Sequence, residues 1–150
     1  MIFREANTSD LGRLLEMEQG VVEAERPFNA QIKEAGVKYY DFEQLIESED
    51  SLLLVVELDG DLIAAGYAQI RVSKPSVVHH EHVYLGFMYV SPEHRRKGLN
   101  QRVLERLLDW GKGRGVMDVY LDVYAQNEAA IQAYKKAGFA PSMLEMKLRL

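Results

Sequence analysis

The stretch from Tyr84 to Gln101 constrains the fold more than any other part of this chain. Its first seven residues, Tyr84 to Val90, are aromatic and apolar and predict a strand. Ser91-Pro92-Glu93 ends it, because proline cannot donate a ladder hydrogen bond. A basic run closing on glycine follows, Arg95-Arg96-Lys97-Gly98, and then Leu99, Val103, Leu104, Leu107 and Leu108 recur at helical spacing. Strand, basic turn and helix in this order make a place for an anion. The first N–H groups of a helix have no partner within it, and the helix dipole adds partial positive charge there. A basic turn of this kind is also compatible with an ordinary solvated surface.

On both sides the chain alternates between helical and extended patterns. Ile2 to Glu5 reads as a first strand, and Thr8-Ser9-Asp10 caps a helix whose stripe is Leu11, Leu14, Leu15 and Met17. Gly20 to Lys38, with Pro27 and Gly36, reads as a polar loop that either lines a pocket or merely connects, and a second helix is expected around Tyr39 to Ser48. Ser51–Leu58, Leu62–Val72 and Val77–Val90 predict an antiparallel meander, turned at Asp59-Gly60-Asp61 and Lys74-Pro75-Ser76. After the helix from about Gly98 to Lys112 come a strand over Val116–Tyr124 and a helix capped by Asn127 and stopped at Gly138. Met143–Leu150 alternates apolar and charged residues as a last strand would. The order is that of a single mixed α/β domain spanning 1–150, a mostly antiparallel sheet flanked by helices.

Composition removes several functional classes. A net charge of −5 disfavours general nucleic-acid binding, so any phosphate site must be local. The absence of cysteine excludes disulfides, thiolate nucleophiles and cysteine-based metal sites, and suits a cytoplasmic protein. No apolar run reaches membrane-span length, and Met1-Ile2-Phe3-Arg4-Glu5 does not begin as a signal peptide does. Neither a Gly-Lys-Ser/Thr phosphate loop nor a Gly-x-Gly-x-x-Gly after the first strand is present, and no Gly-x-Ser-x-Gly elbow supplies a serine nucleophile.

Arg95-Arg96-Lys97-Gly98-Leu99-Asn100 resembles the acyl-CoA pyrophosphate loop of the GNAT superfamily of N-acetyltransferases, and Met88-Tyr89-Val90-Ser91-Pro92-Glu93 resembles the strand end that precedes it. Asn127-x-x-Ala130-x-x-x-Tyr134-x-x-x-Gly138-Phe139 is similar to the family's second signature. The resemblance implies acetyl-CoA as co-substrate, no metal, a primary-amine acceptor, and direct transfer through a ternary complex. It implies a sheet splayed between Tyr84–Val90 and Val116–Tyr124, with Gly86 as a contributor to the distortion. The backbone of Met88, Tyr89 and Val90 would hold the pantetheine arm, Val90 N–H polarising the thioester carbonyl. The N–H groups from Arg96 through Lys97, Gly98, Leu99, Asn100 and Gln101 would hold the pyrophosphate, with Arg95 or Lys97 adding charge. Asn100 departs from the family's glycine or alanine, and altered cofactor contacts are expected there. Asn127 would bond the cofactor, or cap its helix, or both. Tyr134 is the general acid the resemblance implies, although its spacing alone favours a core tyrosine.

The general base is less legible. Glu81 or His82 is the candidate, since some family members carry a glutamate in this region. His79, His80 and His82 also tempt a metal reading, for which no further ligand is identifiable. Two functional readings follow: an acetyl-CoA-dependent N-acetyltransferase, or a non-catalytic acyl-CoA sensor with the same fold. Oligomeric state is not readable from the residues; family members are often dimers, and that analogy alone suggests a homodimer.

Overall fold

A computed structural model describes residues 1–150 as three layers around one five-stranded sheet. The strands β1 (Ile2–Glu5), β2 (Ser51–Leu58), β3 (Asp61–Val72), β4 (Glu81–Val90) and β5 (Val119–Tyr120) lie in sequence order. The first four pair antiparallel, and only β4 and β5 run parallel. Helices α1 (Leu11–Glu25) and α2 (Phe42–Glu47) cover one face, while α3 (Leu99–Gly113) and α4 (Glu128–Lys136) belong to the other.

The apolar run of β2 follows from burial on both faces. Leu52, Leu54 and Val56 pack toward α3, and Leu53 and Val55 pack toward α1 and α2. On the α1 face, Leu14 and Met17 fill a core with Phe42, Tyr67 and Phe87. Arg4 ties β1 to the start of α1 through a two-pronged ion pair with Asp10 at 2.8 and 2.9 Å, and Asp10 also accepts the Asn7 N–H at 2.8 Å.

Five expectations need correction. The 20–38 segment is not all loop: α1 runs through Gly20 to Glu25, followed by a single 3₁₀ turn at Arg26–Phe28. Gly20 sits in the helix because a Cβ there would lie 2.7 Å from Tyr89 Cε2, so this glycine serves packing rather than termination. Leu15 is exposed, and Val22 continues the buried stripe in its place. The third meander strand begins at Glu81 rather than Val77. Of the strand expected over Val116–Tyr124, only Val119 and Tyr120 pair, because β4 and β5 diverge beyond the Tyr84–Tyr120 pair. Met143–Leu150 is not a strand: it joins no sheet and every residue in it is exposed.

Candidate active site

The divergence of β4 from β5 has a local cause. Val83 and Leu85 point into the α3-side core, but Phe87 points into the α1-side core, so the side-chain parity of β4 inverts within two residues. A β-bulge does this: the register against β3 slips between Ala65 and Tyr67, where Phe87 and Met88 lie opposite the single residue Gly66. Phe87 takes up the extra residue at φ +53°, a left-handed conformation costing about 1–2 kcal/mol. The rings of Phe42 and Tyr40, 4.9 and 5.0 Å away, hold it there. Gly86 makes room for the ring of Tyr67, whose Cζ would lie 2.5 Å from any Cβ at this position.

Beyond the bulge, one edge of β4 is open. Ser91 N–H bonds Ile63 O on the β3 side at 2.8 Å, so alternation turns the backbone of Tyr89 toward β3 as well and that of Met88 and Val90 toward the opening. Tyr89 lays its side chain against Gly20 of α1, on the far face from Met88 and Val90. Arg95 folds back across the strand end, its Nε donating to Val90 O at 2.9 Å.

The basic turn forms an anion cradle. Arg96 and Gly98 adopt φ values of +62° and +75°, and α3 starts immediately afterwards with Leu99 buried in the core as its anchor. The backbone N–H groups of the six residues from Arg96 to Gln101 have no hydrogen-bond acceptor in the protein. Consecutive free N–H groups at the head of a 15-residue helix match a pyrophosphate in number and polarity. The arginines and lysine are exposed; Lys97 Nζ donates to Glu93 O at 3.2 Å, and the Arg96 side chain makes no hydrogen bond. Asn100 occupies the first turn, half-buried, and its amide bonds nothing in the protein. Gln101 is exposed, with its amide 3.4 Å from Glu105.

Asn127 caps α4, its Oδ1 accepting Ala130 N–H at 3.3 Å. Tyr134, one turn from the helix end, is half-buried against the same apolar cluster as Met88 and Val90, with Phe139 edge-on at 5.8 Å. Burial pushes its phenol above the ordinary tyrosine value, so it stays protonated across the physiological range. Glu81 and His82 stand at the other end of β4. Glu81 is exposed opposite Val72. His82 precedes Met88 by six residues, roughly 20 Å of strand at about 3.4 Å per residue. Its Nδ1 meets Ser73 Oγ at 2.8 Å, and that same hydroxyl meets His79 Nδ1 at 2.7 Å. Burial, followed by the neighbouring His79, holds the His82 pKa below normal. His79 in turn reaches Tyr120 OH at 2.9 Å, so this histidine cluster braces the β4–β5 junction.

Residues outside those expectations gather around the bulge on the α1 side. Buried Glu18 accepts the N–H groups of Tyr39 and Tyr40 at 2.8 and 2.9 Å and so pins that segment against α1. Tyr39, Tyr40 and Tyr67 line a shallow pocket with Arg71, whose guanidinium lies 3.9 Å from the Tyr84 ring centre. Tyr84 OH donates to Asp122 Oδ2 at 2.9 Å across the splay. Glu25, at the end of α1, is half-buried, and burial raises its carboxyl pKa while the Tyr39 hydroxyl draws it part-way back. That hydroxyl is itself buried without a hydrogen-bond partner, and burial together with the charge of Glu25 pushes it up to about 12. The sequence signal for Glu18 was its place on the apolar face beside Leu14, Met17 and Val22; Glu25 stood in the sequence as one acid in the mixed cluster Glu23, Glu25, Arg26 and Phe28.

A model of the GNAT acetyltransferase family matches residues 18–139, which includes the bulge, the cradle and α4. The chain belongs to the GNAT family. A streptothricin acetyltransferase of Streptomyces lavendulae is 32% identical over 103 residues, covering 67% of this chain and 51% of that protein. A ribosomal protein bS18 alanine N-acetyltransferase of Escherichia coli is 44% identical over 50 residues, covering 33% of this chain and 34% of its own length. This GNAT chain thus spans about half the length of the first of these relatives and a third of the second. Among solved structures, a tetramutant of the BH1408 protein from Bacillus halodurans superposes over the whole of both chains with a TM-score of 0.88 at 25% identity. An aminoglycoside N-acetyltransferase AAC(6')-Iy in complex with CoA shares the GNAT fold at TM-score 0.76 and 16% identity, covering 99% of this chain and 98% of its own. No helix of the GNAT chain is long and apolar enough to cross a membrane, and no group of three or more His, Asp or Glu side chains is arranged to hold a metal ion.

Proposed function

We propose that this protein transfers an acetyl group from acetyl-CoA to the primary amine of a small cationic acceptor, both substrates meeting at the bulge. The observation that carries the reading is the run of unpartnered N–H groups from Arg96 to Gln101, set directly beyond the open edge of β4. These groups fit a pyrophosphate, and the outward-facing backbone of Met88 and Val90 fits an extended amide-bearing arm laid along the strand. A backbone N–H from this edge polarises the reacting carbonyl. Tyr134, held protonated by burial, donates a proton to the leaving thiolate. Glu25 accepts the proton of the attacking ammonium, a role suited to a half-buried carboxylate whose pKa stands above the ordinary value.

Acceptor charge follows from the lining. Glu25 and Asp122 supply negative charge, and Tyr39, Tyr40, Tyr84 and Tyr124 supply aromatic faces that favour a cation. The relatives' names include enzymes acting on an antibiotic and on a protein alanine, and the aromatic lining favours a small cationic molecule here. Calorimetry with acetyl-CoA tests the donor site: micromolar binding is expected for the wild type and none for Gly98→Trp, whose side chain cannot follow φ +75°. Absence of wild-type binding refutes the reading. Thiol release across a panel of amines then separates an enzyme from a sensor, since a sensor binds acetyl-CoA without turnover.

A further inference from the structure

The acceptor face carries a cation that acetyl transfer itself leaves without a task. Pairing of β3 with β4 is regular from Tyr67 to Val72, so Tyr67, Gln69 and Arg71 alternate onto the same face, the one that α1 and α2 cover. Arg71 is the only Lys or Arg lining the pocket it shares with Tyr39, Tyr40 and Tyr67. Its guanidinium is held in place without being neutralised. The group lies 3.9 Å from the Tyr84 ring centre, and its Nε donates to Gln69 Oε1 at 2.9 Å. Gln69 is backed in turn by Gln44 of α2, at 3.5 Å. Neither terminal nitrogen of Arg71 donates a hydrogen bond within the protein, and the side chain forms no ion pair. The neighbouring acids are engaged elsewhere. Asp122 accepts the Tyr84 hydroxyl at 2.9 Å, and Asp41 accepts Gln44 N–H at 3.1 Å as the cap of α2.

Stacking on one face and a hydrogen bond at Nε fix the plane of a guanidinium and leave its outer fork free. Such a fork matches a carboxylate through two parallel hydrogen bonds. A row of rings leads from it to the proposed base. Tyr84, Tyr67, Tyr40 and Tyr39 follow one another with centres 6.4, 5.9 and 5.7 Å apart, and the charge of Glu25 acts on Tyr39 at the far end. An aliphatic chain lying on this row would carry a carboxylate at one end and an ammonium at the other. Glu25 and Asp122 together outnumber the single guanidinium, so the charge-matched molecule keeps a net positive charge. Two amines and one carboxylate meet that condition.

We propose that Arg71 is a specificity-determining residue of the acceptor site and holds the carboxylate of a free basic amino acid, whose side-chain amine then faces Glu25. The assignment rests on the acetyl-transfer reading for the place of the reacting amine. It adds a selection that negative charge and aromatic faces alone do not make, because those would favour a diamine or an amide over the acid.

Calorimetry in the presence of saturating CoA, which fills the donor site without an acetyl group to transfer, tests binding apart from turnover. The probes are lysine, ornithine and lysinamide, the last with the carboxylate masked and a higher positive charge. The wild type is expected to bind lysine or ornithine about tenfold or more tighter than lysinamide, against the order that general attraction to an acidic cleft gives. In Arg71→Met, whose apolar stem still lies on Tyr84, that preference should fall to about one or invert. Arg71→Lys keeps the charge without the fork and should lose most of it, with far-UV circular dichroism confirming that both variants fold. Three results overturn the proposal: lysinamide bound as tightly as the amino acids, a preference for the carboxylate that survives both substitutions, or no binding of any probe. Thiol release on supplying acetyl-CoA separates this outcome from that of the reading beneath it. Arg71-dependent binding without thiol release supports the anchor and counts against acetyl transfer, whereas release with lysinamide and no preference for the carboxylate supports acetyl transfer and overturns the anchor.

Discussion

Replacing Gly86 with alanine tests whether packing against Tyr67 is what keeps this position a glycine. Gly86 is not among the residues with positive φ, so its backbone accepts any L side chain and the only obstacle is space. A Cβ built there lies 2.5 Å from Tyr67 Cζ and 2.6 Å from both Cε1 and the hydroxyl oxygen. Those atoms belong to a ring only 6% exposed, hemmed in by Tyr40 at 5.9 Å and Tyr84 at 6.4 Å. The ring cannot swing clear without disturbing its neighbours, so the change is an overpacking one and costs about 1–3 kcal/mol. At about 2–4 °C per kcal/mol for a domain of this size, a central value of about 2 kcal/mol lowers Tm by roughly 4–8 °C. The decisive control is the same substitution in a Tyr67→Leu background, where the offending ring atoms are gone. There Gly86→Ala should be neutral, or stabilising by up to about 1 kcal/mol through lost unfolded-state entropy. The double-mutant cycle, followed by circular dichroism during thermal and urea unfolding, should therefore give a coupling of about 1 kcal/mol or more. A Gly86→Ala cost below about 0.5 kcal/mol, or the same cost in both backgrounds, refutes the argument.

Other consequences follow from single groups. Tyr134→Phe should slow thiol release by about 10²–10⁴-fold while leaving the calorimetric affinity for acetyl-CoA within about twofold, as loss of a general acid requires. Because burial raises the pKa of Glu25 and its working form is the carboxylate, kcat/KM should fall as pH drops through a point above the ordinary glutamate range. That limb should vanish from the pH–rate profile of Glu25→Gln, and its survival would remove Glu25 as the base. Asp10→Asn should cost about 2 kcal/mol at neutral pH by breaking the charged pair with Arg4. Arg4, foremost among the causes, depresses the Asp10 pKa in the folded state, so the wild-type advantage is full above the ordinary aspartate value and is lost as pH falls through the lowered one. Urea unfolding of both proteins at neutral and strongly acidic pH should show the two curves converge.

The parts legible in the sequence were those whose signal is local. The β2–β3 hairpin was fixed by Asp59-Gly60 between two apolar runs, and the cradle by a proline stop, a glycine and a helical stripe in direct succession. Asn127 showed its capping role because an N-cap acts on residues three positions away. What could not be read depends on contacts far along the chain. Gly20 looked like a helix end because its packing partner, Tyr89, lies 69 residues later. The run Val116–Tyr124 has the composition of a strand along its whole length, yet pairing ends after two residues because the partner strand veers away. The resemblance implied the veer, but no residue-level signal located it at Phe87: a phenylalanine at positive φ has no propensity signature, and the rings of Tyr40 and Phe42 hold it there. The base candidates suffered most. Glu25 is brought beside Tyr39 and Tyr40 by α1 continuing past Gly20, so reading a loop from Gly20 onward also hid the residue's position.

The bulge serves both halves of the site, which explains why so much strain is gathered there. With regular alternation through residues 86 and 87, Phe87 and Tyr89 would point toward α3, and Met88 and Val90 toward α1. The α1-side core would then lose Phe87, and Tyr89 would leave the glycine gap in α1 that receives it. The backbone would be inverted too: Met88 and Val90 would face β3, leaving Tyr89 as the residue between them that addresses the opening. One inserted residue thus sets which amides are free along the proposed donor edge and builds the aromatic wall on the proposed acceptor face. The two proposed substrate sites are consequently coupled through β4 itself. On this reading, a substitution that relaxes Phe87 out of its left-handed conformation disturbs the donor edge and the acceptor pocket together, whereas one in the Arg96–Gln101 cradle touches the donor side alone.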